Sequence, residues 1–179
     1  MSAGKTTVGK QLAKLLSLTF IDLDAYIQSR HYKTIPELFS ENGEEGFRKI
    51  EQQALHEVAS FENVIIATGG GAPCFFDNMD VMNRVGTTVY LATTPEVLTE
   101  RLLVSKNVRP LVMGKSREEL SAFIESHLVE RERFYKQADV TFLANAMNTK
   151  EEINATVEVL AECLRVFFEN NCRDCVVGE

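Results

Sequence analysis

The sequence predicts an α/β fold with three layers, in which helices cover both faces of a parallel sheet. Short apolar segments with the composition of buried strands recur along the chain, and segments with helical spacing of apolar residues separate them. Near-continuous apolar strands between helices are typical of parallel sheets buried on both faces. Because no repeat or linker divides the chain, we expect a single domain over 1–179.

The first elements alternate between helix and strand. Residues 5–16 place Val8 and Leu12 on one face at helical spacing, which predicts a helix. Residues 19–23 (TFIDL) form a short apolar run ending in acidic residues, which predicts a strand.

Two helices are predicted next. Thr34 opens the first, with a proline and a glutamate in its first turn as a capped helix prefers. The pair Asn42-Gly43 breaks this helix, and a second is expected over 44–60. The apolar run at 63–68 then predicts a strand that leads into three glycines.

The same alternation continues to the end of the chain. Strands are expected at 87–92 and 140–143, and helices at 95–103, 117–137 and 150–169. The polar and basic stretch at 104–116 is expected to be a mobile lid, and 170–179 a tail beyond the last helix.

Composition and charge restrict the class of protein. The net charge of −7 argues against nucleic acid as the main partner, and no apolar run reaches the length of a membrane span. Without a signal-peptide pattern, the sequence predicts a cytoplasmic protein. The lone CxxC at 172–175 lacks further ligands at matching spacing. A C-terminal tail without a metal or redox role is therefore favoured over a metal site.

The start of the first predicted helix has the residues of a nucleotide phosphate-binding loop. The segment reads Ser2-Ala3-Gly4-Lys5-Thr6-Thr7, the second half of the pattern GxxxxGK[ST]. Gly4 allows backbone amides to point at phosphate oxygens, Lys5 can reach the β and γ phosphates, and Thr6 can bind Mg²⁺.

The first half of this pattern is not in the sequence. The first glycine of the motif would lie two positions before Met1. We therefore expect the numbered chain to lack its natural N-terminus and a central strand, leaving neighbouring strands unpaired. A genuine shortened protein with little activity is the alternative.

Further motifs follow in a fixed order. They are DLD at 22–24, TIPELF at 34–39, GEEGFR at 43–48, IATGGG at 66–71, RPL at 109–111, and Arg131 followed four residues later by Tyr135. In this order and at these spacings, the set resembles the shikimate kinases over nearly the whole chain. The resemblance implies a P-loop kinase fold whose parallel sheet has five strands, of which four are visible here.

The resemblance also implies the reaction. Shikimate kinases transfer the γ-phosphoryl group of ATP to the 3-hydroxyl of shikimate, a step of chorismate and aromatic amino acid biosynthesis, with Mg²⁺ as cofactor. Shikimate carries a carboxylate and three hydroxyls, so its site needs cations and fixed acceptors. The guanidinium groups of Arg48 and Arg131 suit the carboxylate. Asp24, near a strand end, suits the hydroxyls and by resemblance is the general base.

The remaining roles come from the same resemblance. Asp22 is expected to hold Mg²⁺ with Thr6, and Arg109 to close from the lid over ATP. Substrate contact is expected at three glycines: Gly69, Gly70 and Gly71. Glu51 is expected to orient Arg48.

Two other functions stay open at this point. One is a kinase for another polyol or for a nucleotide, and the other is a non-catalytic nucleotide-binding module with an incomplete loop. For a shikimate kinase the expected partners are shikimate and ATP, with no nucleic acid or membrane, and the protein is expected to be a monomer.

Overall fold

The computed structural model describes residues 3–104, 116–145 and 147–171. The helices in these ranges are α1 (Lys5–Leu15), α2 (Leu23–His31), α3 (Ile35–Val58), α4 (Asn78–Val85), α5 (Pro95–Leu103), α6 (Arg117–Tyr135) and α7 (Lys150–Asn171). The strands are β1 (Thr19–Asp22), β2 (Val64–Ala67), β3 (Val89–Ala92) and β4 (Val140–Leu143), and a 3₁₀ turn spans Ala72–Cys74.

The strands form two parallel pairs rather than one continuous sheet. In the first pair β1 lies beside β2, with Thr19 opposite Val64. In the second β3 lies beside β4, with Val89 opposite Val140. No strand of the described ranges joins the two pairs. The sequence predicted unpaired strands, whereas in the described ranges each strand has one partner, and no pairing joins β2 to β3.

Helices cover both faces of the strand pairs. Ile65 packs in an apolar cluster built by α1 and α7, together with Leu91 of the second pair. Its neighbour Ile66 packs in the cluster built by α2 and α3. Successive side chains of a strand point to opposite faces, so the two clusters lie on opposite sides of β2. The predicted three-layer α/β/α architecture is confirmed.

The helix boundaries follow the sequence closely, with three additions. The predicted break at Asn42-Gly43 is a kink inside α3, where Gly43 has φ 66° and ψ −178°. The additions are α2, α4 and the 3₁₀ turn, for which we had no prediction. Residues 105–115 of the predicted lid and 172–179 of the predicted tail lie outside the described residues.

None of the helices in the described ranges is long and apolar enough to span a membrane.

Candidate active site

The phosphate-binding loop leads directly into α1. Gly4 has φ 85° and ψ 13°, a left-handed conformation that favours glycine, and its carbonyl accepts from Val8 N at 2.9 Å. A β-carbon at this position would also collide with the side chain of Met147. Gly4 thus allows the tight turn that leads into the N-terminus of α1, the end of a helix that favours anions.

The other loop residues differ in exposure. Ala3 and Lys5 are half-buried and Thr7 is exposed, while Ser2 lies outside the described residues. Ala3 and Lys5 line the same opening as Gly69 and Gly70, which follow β2. The loop and the glycine segment therefore lie at the same edge of the strands.

Thr6 and Asp22 meet where Mg²⁺ is expected. Thr6 Oγ1 donates to Asp22 Oδ2 at 2.8 Å, and Asp22 Oδ1 accepts from Ala25 N at 3.2 Å, capping α2. Hydroxyl and carboxylate oxygens are the ligands that Mg²⁺ prefers. Within the described ranges no cluster of three or more His, Cys, Asp or Glu side chains could hold a metal by itself. The pair fits an ion that takes most of its ligands from water and phosphate.

Asp24 lies beside the glycine segment. A β-carbon on Gly69 would lie 3.4 Å from Asp24 Oδ1 and 3.2 Å from Glu51 Oε1, so both carboxyl groups border this glycine. Asp24 is half-buried in the first turn of α2, directly after β1. The structure thus brings Asp24, Glu51 and Gly69 together from three separate parts of the chain.

Arg48 faces the same segment from α3. Its Nη1 donates to Glu51 Oε2 at 2.7 Å, and both side chains are largely buried. A β-carbon on Gly71 would lie 2.7 Å from Nη1 of Arg48, closer than carbon atoms approach nitrogen without strain. The glycine at this position therefore leaves the space that the guanidinium occupies.

Aromatic rings surround the Arg48 guanidinium. Its central carbon lies 4.1 Å from the ring centroid of Phe75, 5.4 Å from that of Phe47 and 5.6 Å from that of Phe39. Nε of Arg48 is buried and has no hydrogen-bond partner within the described residues. A buried cationic donor without an acceptor suits an anionic ligand.

Arg131 approaches from the last turns of α6. Burial raises the pKa of Glu51, against the lowering effects of Arg48 and Arg131, while the charge of Asp24 raises it further. Burial also raises the pKa of the Cys74 thiol, and again Arg131 and Arg48 act in the opposite direction. Both guanidinium groups therefore lie within electrostatic range of Glu51 and Cys74.

Tyr135 holds the middle glycine in place. Its hydroxyl donates to the Gly70 carbonyl at 2.6 Å, and its ring lies 5.0 Å from the ring of Tyr90 in β3. Burial raises the pKa of Tyr135, so the phenol keeps its proton. The sequence motif contained Tyr135 without a role. The spacing of four residues from Arg131, one helical turn, was the signal that could have assigned it to the site.

The predicted site residues separate into three groups. Six described residues gather around the glycine segment: Asp24, Arg48, Gly69, Gly70, Gly71 and Arg131. The phosphate-loop residues and Asp22 lie at the neighbouring strand ends. Arg109 and Ser2 lie outside the described residues. Phe39, Phe47 and Phe75 had no recognisable signal in the sequence, because their role depends on tertiary packing around Arg48.

Known proteins resemble this chain in sequence and structure. The family model described as shikimate kinase matches residues 1–162. The shikimate kinase of Parabacteroides distasonis is 54% identical over 164 residues, which are 92% of this chain and 95% of that protein. That of Bacteroides fragilis is 52% identical over 166 residues, 93% of each chain.

Solved structures agree with the sequence comparisons. The crystal structure of shikimate kinase from Bacteroides thetaiotaomicron superposes with a TM-score of 0.89 at 52% identity, over 92% of this chain and 94% of that one. Shikimate kinase from Acinetobacter baumannii in complex with shikimate has a TM-score of 0.77 at 34% identity, over 93% and 89%. The predicted P-loop kinase fold is confirmed, and the chain belongs to the shikimate kinase family.

Proposed function

We propose that this kinase transfers the γ-phosphoryl group of ATP to the 3-hydroxyl of shikimate. The observation that carries the proposal is the meeting of Arg48, Arg131 and Asp24 around one glycine segment. Two cations beside an acceptor carboxylate match a ring that carries one carboxylate and several hydroxyls. Family membership and the shikimate complex of the A. baumannii relative support the same substrate.

In the proposed mechanism each residue has one task. Arg48 and Arg131 hold the substrate carboxylate. The backbone of Gly69, Gly70 and Gly71 lies against the ring of shikimate. Asp24 orients the 3-hydroxyl and accepts its proton as the oxygen attacks phosphorus. Lys5 and the amides after Gly4 hold the phosphates, and Arg109 from the lid neutralises the transferring group.

Mg²⁺ would be held by Thr6 and, through water, by Asp22. Their hydrogen bond of 2.8 Å places both oxygens at the carboxyl end of β1, next to the phosphate-binding loop. When bound, the ion neutralises charge on the phosphate oxygens. A cytoplasmic location, a monomeric state and a single kinase domain with a lid stay predictions.

The test is the rate of ATP-dependent phosphorylation with shikimate as acceptor. Asp24→Asn should lower kcat by about 10²–10⁴-fold with a smaller change in KM, because the amide cannot accept the proton. Asp80→Asn is the matched control, since Asp80 is an exposed acid in the first turn of α4. Unchanged turnover in Asp24→Asn would refute the base role, and turnover with gluconate or AMP but not shikimate would refute the substrate.

A further inference from the structure

Phe75 reaches Arg48 from the segment that follows the three glycines. Its ring centroid lies 4.1 Å from the central carbon of the guanidinium, nearer than the rings of Phe39 and Phe47 at 5.6 and 5.4 Å. Phe39 and Phe47 belong to α3, the helix that carries Arg48 itself. Of these three contacts, the one with Phe75 joins Arg48 to a separate part of the chain.

The segment that carries Phe75 is closed by hydrogen bonds. At its start Cys74 N donates to the Gly71 carbonyl at 2.8 Å, so that a 3₁₀ turn follows directly on the glycine segment. After Phe75 the fully buried side chain of Asn78 donates through Nδ2 to the Ala72 carbonyl at 2.8 Å. Because residues 72–78 form a closed loop, the ring of Phe75 has a fixed position relative to the glycines.

A further hydrogen bond ties this loop to α3. Gln52 Nε2 donates to Asp77 Oδ1 at 2.8 Å, and this bond is the main reason why the pKa of Asp77 lies below its usual value. Gln52 follows Arg48 by four residues, so the two side chains leave α3 on the same face, one turn apart. The bond to Asp77 therefore holds Phe75, two residues earlier, beside Arg48.

A ring over the guanidinium leaves its hydrogen-bond donors available. The attraction between Phe75 and Arg48 acts between the ring face and the positive charge, whereas the N–H groups of the guanidinium lie in its own plane. Nη1 of Arg48 donates to Glu51, and Nε has no acceptor within the described residues. Phe75 thus covers the cation without occupying the donors that a carboxylate would use.

We propose that Phe75 is a positioning residue, which holds the Arg48 guanidinium in the direction that receives the substrate carboxylate. The proposal rests on the proposed function, because Arg48 binds that carboxylate there. Glu51 holds the guanidinium through one nitrogen, and the ring of Phe75 covers its face. A change at Phe75 should therefore act on the binding of shikimate more than on phosphoryl transfer.

The test compares Phe75→Leu, which removes the aromatic face, with Phe75→Tyr, which retains it. Phe76→Leu is the matched control, since Phe76 is the next residue and is 56% exposed. In Phe75→Leu the KM for shikimate should rise by about tenfold, with a smaller change in kcat and a KM for ATP within about twofold of the original. Phe75→Tyr should keep the KM for shikimate within about threefold of the original.

Proton NMR of the Arg48 Nε–H, recorded without shikimate, tests the same contact independently of the reaction. An aromatic ring shields protons above its face, so this resonance should move downfield in Phe75→Leu and stay in place in Phe76→Leu. An unchanged resonance in Phe75→Leu would overturn the proposal. If the unmodified chain did not phosphorylate shikimate, the proposed function would fail, while the NMR comparison would still decide whether Phe75 positions Arg48.

Two variants of α3 cover the case in which Phe75→Leu does not fold. Gln52→Ala removes the bond to Asp77, and Gln53→Ala is its control because Gln53 is an exposed neighbour on the same helix. The KM for shikimate should rise by about threefold or more in Gln52→Ala and stay unchanged in Gln53→Ala. Equal KM values in these two variants would overturn the proposal, as would equal KM values in Phe75→Leu and Phe76→Leu.

Discussion

Arg48 Nη1 donates to Glu51 Oε2 at 2.7 Å in a setting that leaves the two side chains only 11% and 2% exposed. Burial of this kind makes the two charges depend on each other, since either one alone would be an uncompensated charge in the interior. The guanidinium also faces Gly71, where a β-carbon would lie 2.7 Å from Nη1 and 2.9 Å from Nη2. Glu51 thus fixes the direction of Arg48, and Arg48 presents a cation to the glycine segment.

Replacing Glu51 tests this positioning role. Glu51→Gln removes the nearer of the two carboxylates that pair with Arg48, the other being the exposed Glu44 at 3.5 Å, so we expect KM for shikimate to rise by about tenfold or more, with a smaller fall in kcat. Removing one partner of a buried pair should also cost about 3–5 kcal/mol of stability, measured by denaturant unfolding. Glu45→Gln is the control, because Glu45 is an exposed acid on α3 that pairs with Lys49 at 2.7 Å. If Glu51→Gln kept the original KM, Arg48 would not need Glu51 for its position.

A methyl group at Gly71 should displace the Arg48 guanidinium. In Gly71→Ala the new carbon would lie 2.7 Å from Nη1, so the side chain must move away from the glycine segment. We expect KM for shikimate to rise by about tenfold, because a charge-assisted contact would be lost while the fold persists. Gly86→Ala is the control, since a β-carbon there meets nothing within 4 Å and φ is −166°. Equal KM values for the two variants would contradict the close approach of Arg48.

The hydroxyl of Tyr135 should matter for the glycine segment. Tyr135→Phe removes the 2.6 Å hydrogen bond to the Gly70 carbonyl and leaves the ring contact with Tyr90. We expect a stability loss of about 1 kcal/mol and faster amide exchange at 69–71. Tyr32→Phe is the control, because Tyr32 is 94% exposed. Unchanged exchange at the three glycines in Tyr135→Phe would show that another contact holds the segment.

The pKa of Glu51 gives a prediction about pH. Burial raises it above 4.5, against the lowering effect of the Arg48 guanidinium. Between the unfolded value and the raised folded value the folded chain retains a proton that the unfolded chain has lost. The carboxyl group therefore contributes stability below the unfolded pKa, and this contribution disappears as pH rises through the folded pKa. Carbon-13 NMR of the Glu51 carboxyl should show the raised value, and Arg48→Met should raise it further. A Glu51 pKa below 4.5, or one that falls in Arg48→Met, would contradict the assigned causes.

The sequence was sufficient to predict those features that depend on local pattern. The kink at Gly43 followed from Asn-Gly, and the bounds of α5 and β4 followed from their apolar spacing. Helix α2 escaped prediction because it begins at Leu23, directly after a strand, and buries only Leu23 and Ile27. The short α4 begins without a side-chain cap, so it lacks the usual sequence signal of a helix start.

The site shows the same division between local and tertiary information. Arg48 and Glu51 are three residues apart on one helix, so their pairing could be expected from spacing. The bond from Tyr135 to Gly70 joins residues 65 positions apart, and the space at Gly71 depends on where α3 packs. A local sequence pattern cannot predict contacts between residues so far apart in the chain. The motifs therefore predicted which residues belong to the site but not which of them touch.

In the proposed mechanism Arg48 and Arg131 together bind the substrate carboxylate. Calorimetry can compare the binding of shikimate with that of its methyl ester, which has lost the negative charge. The unmodified chain should prefer the acid by at least about 100-fold, and Arg131→Met should reduce this preference by about tenfold or more. Arg133→Met is the control, because Arg133 is an exposed residue of the same helix. Should Arg131→Met keep the full preference for the acid, the two guanidinium groups would not share the carboxylate, and Arg131 would have no part in binding this substrate.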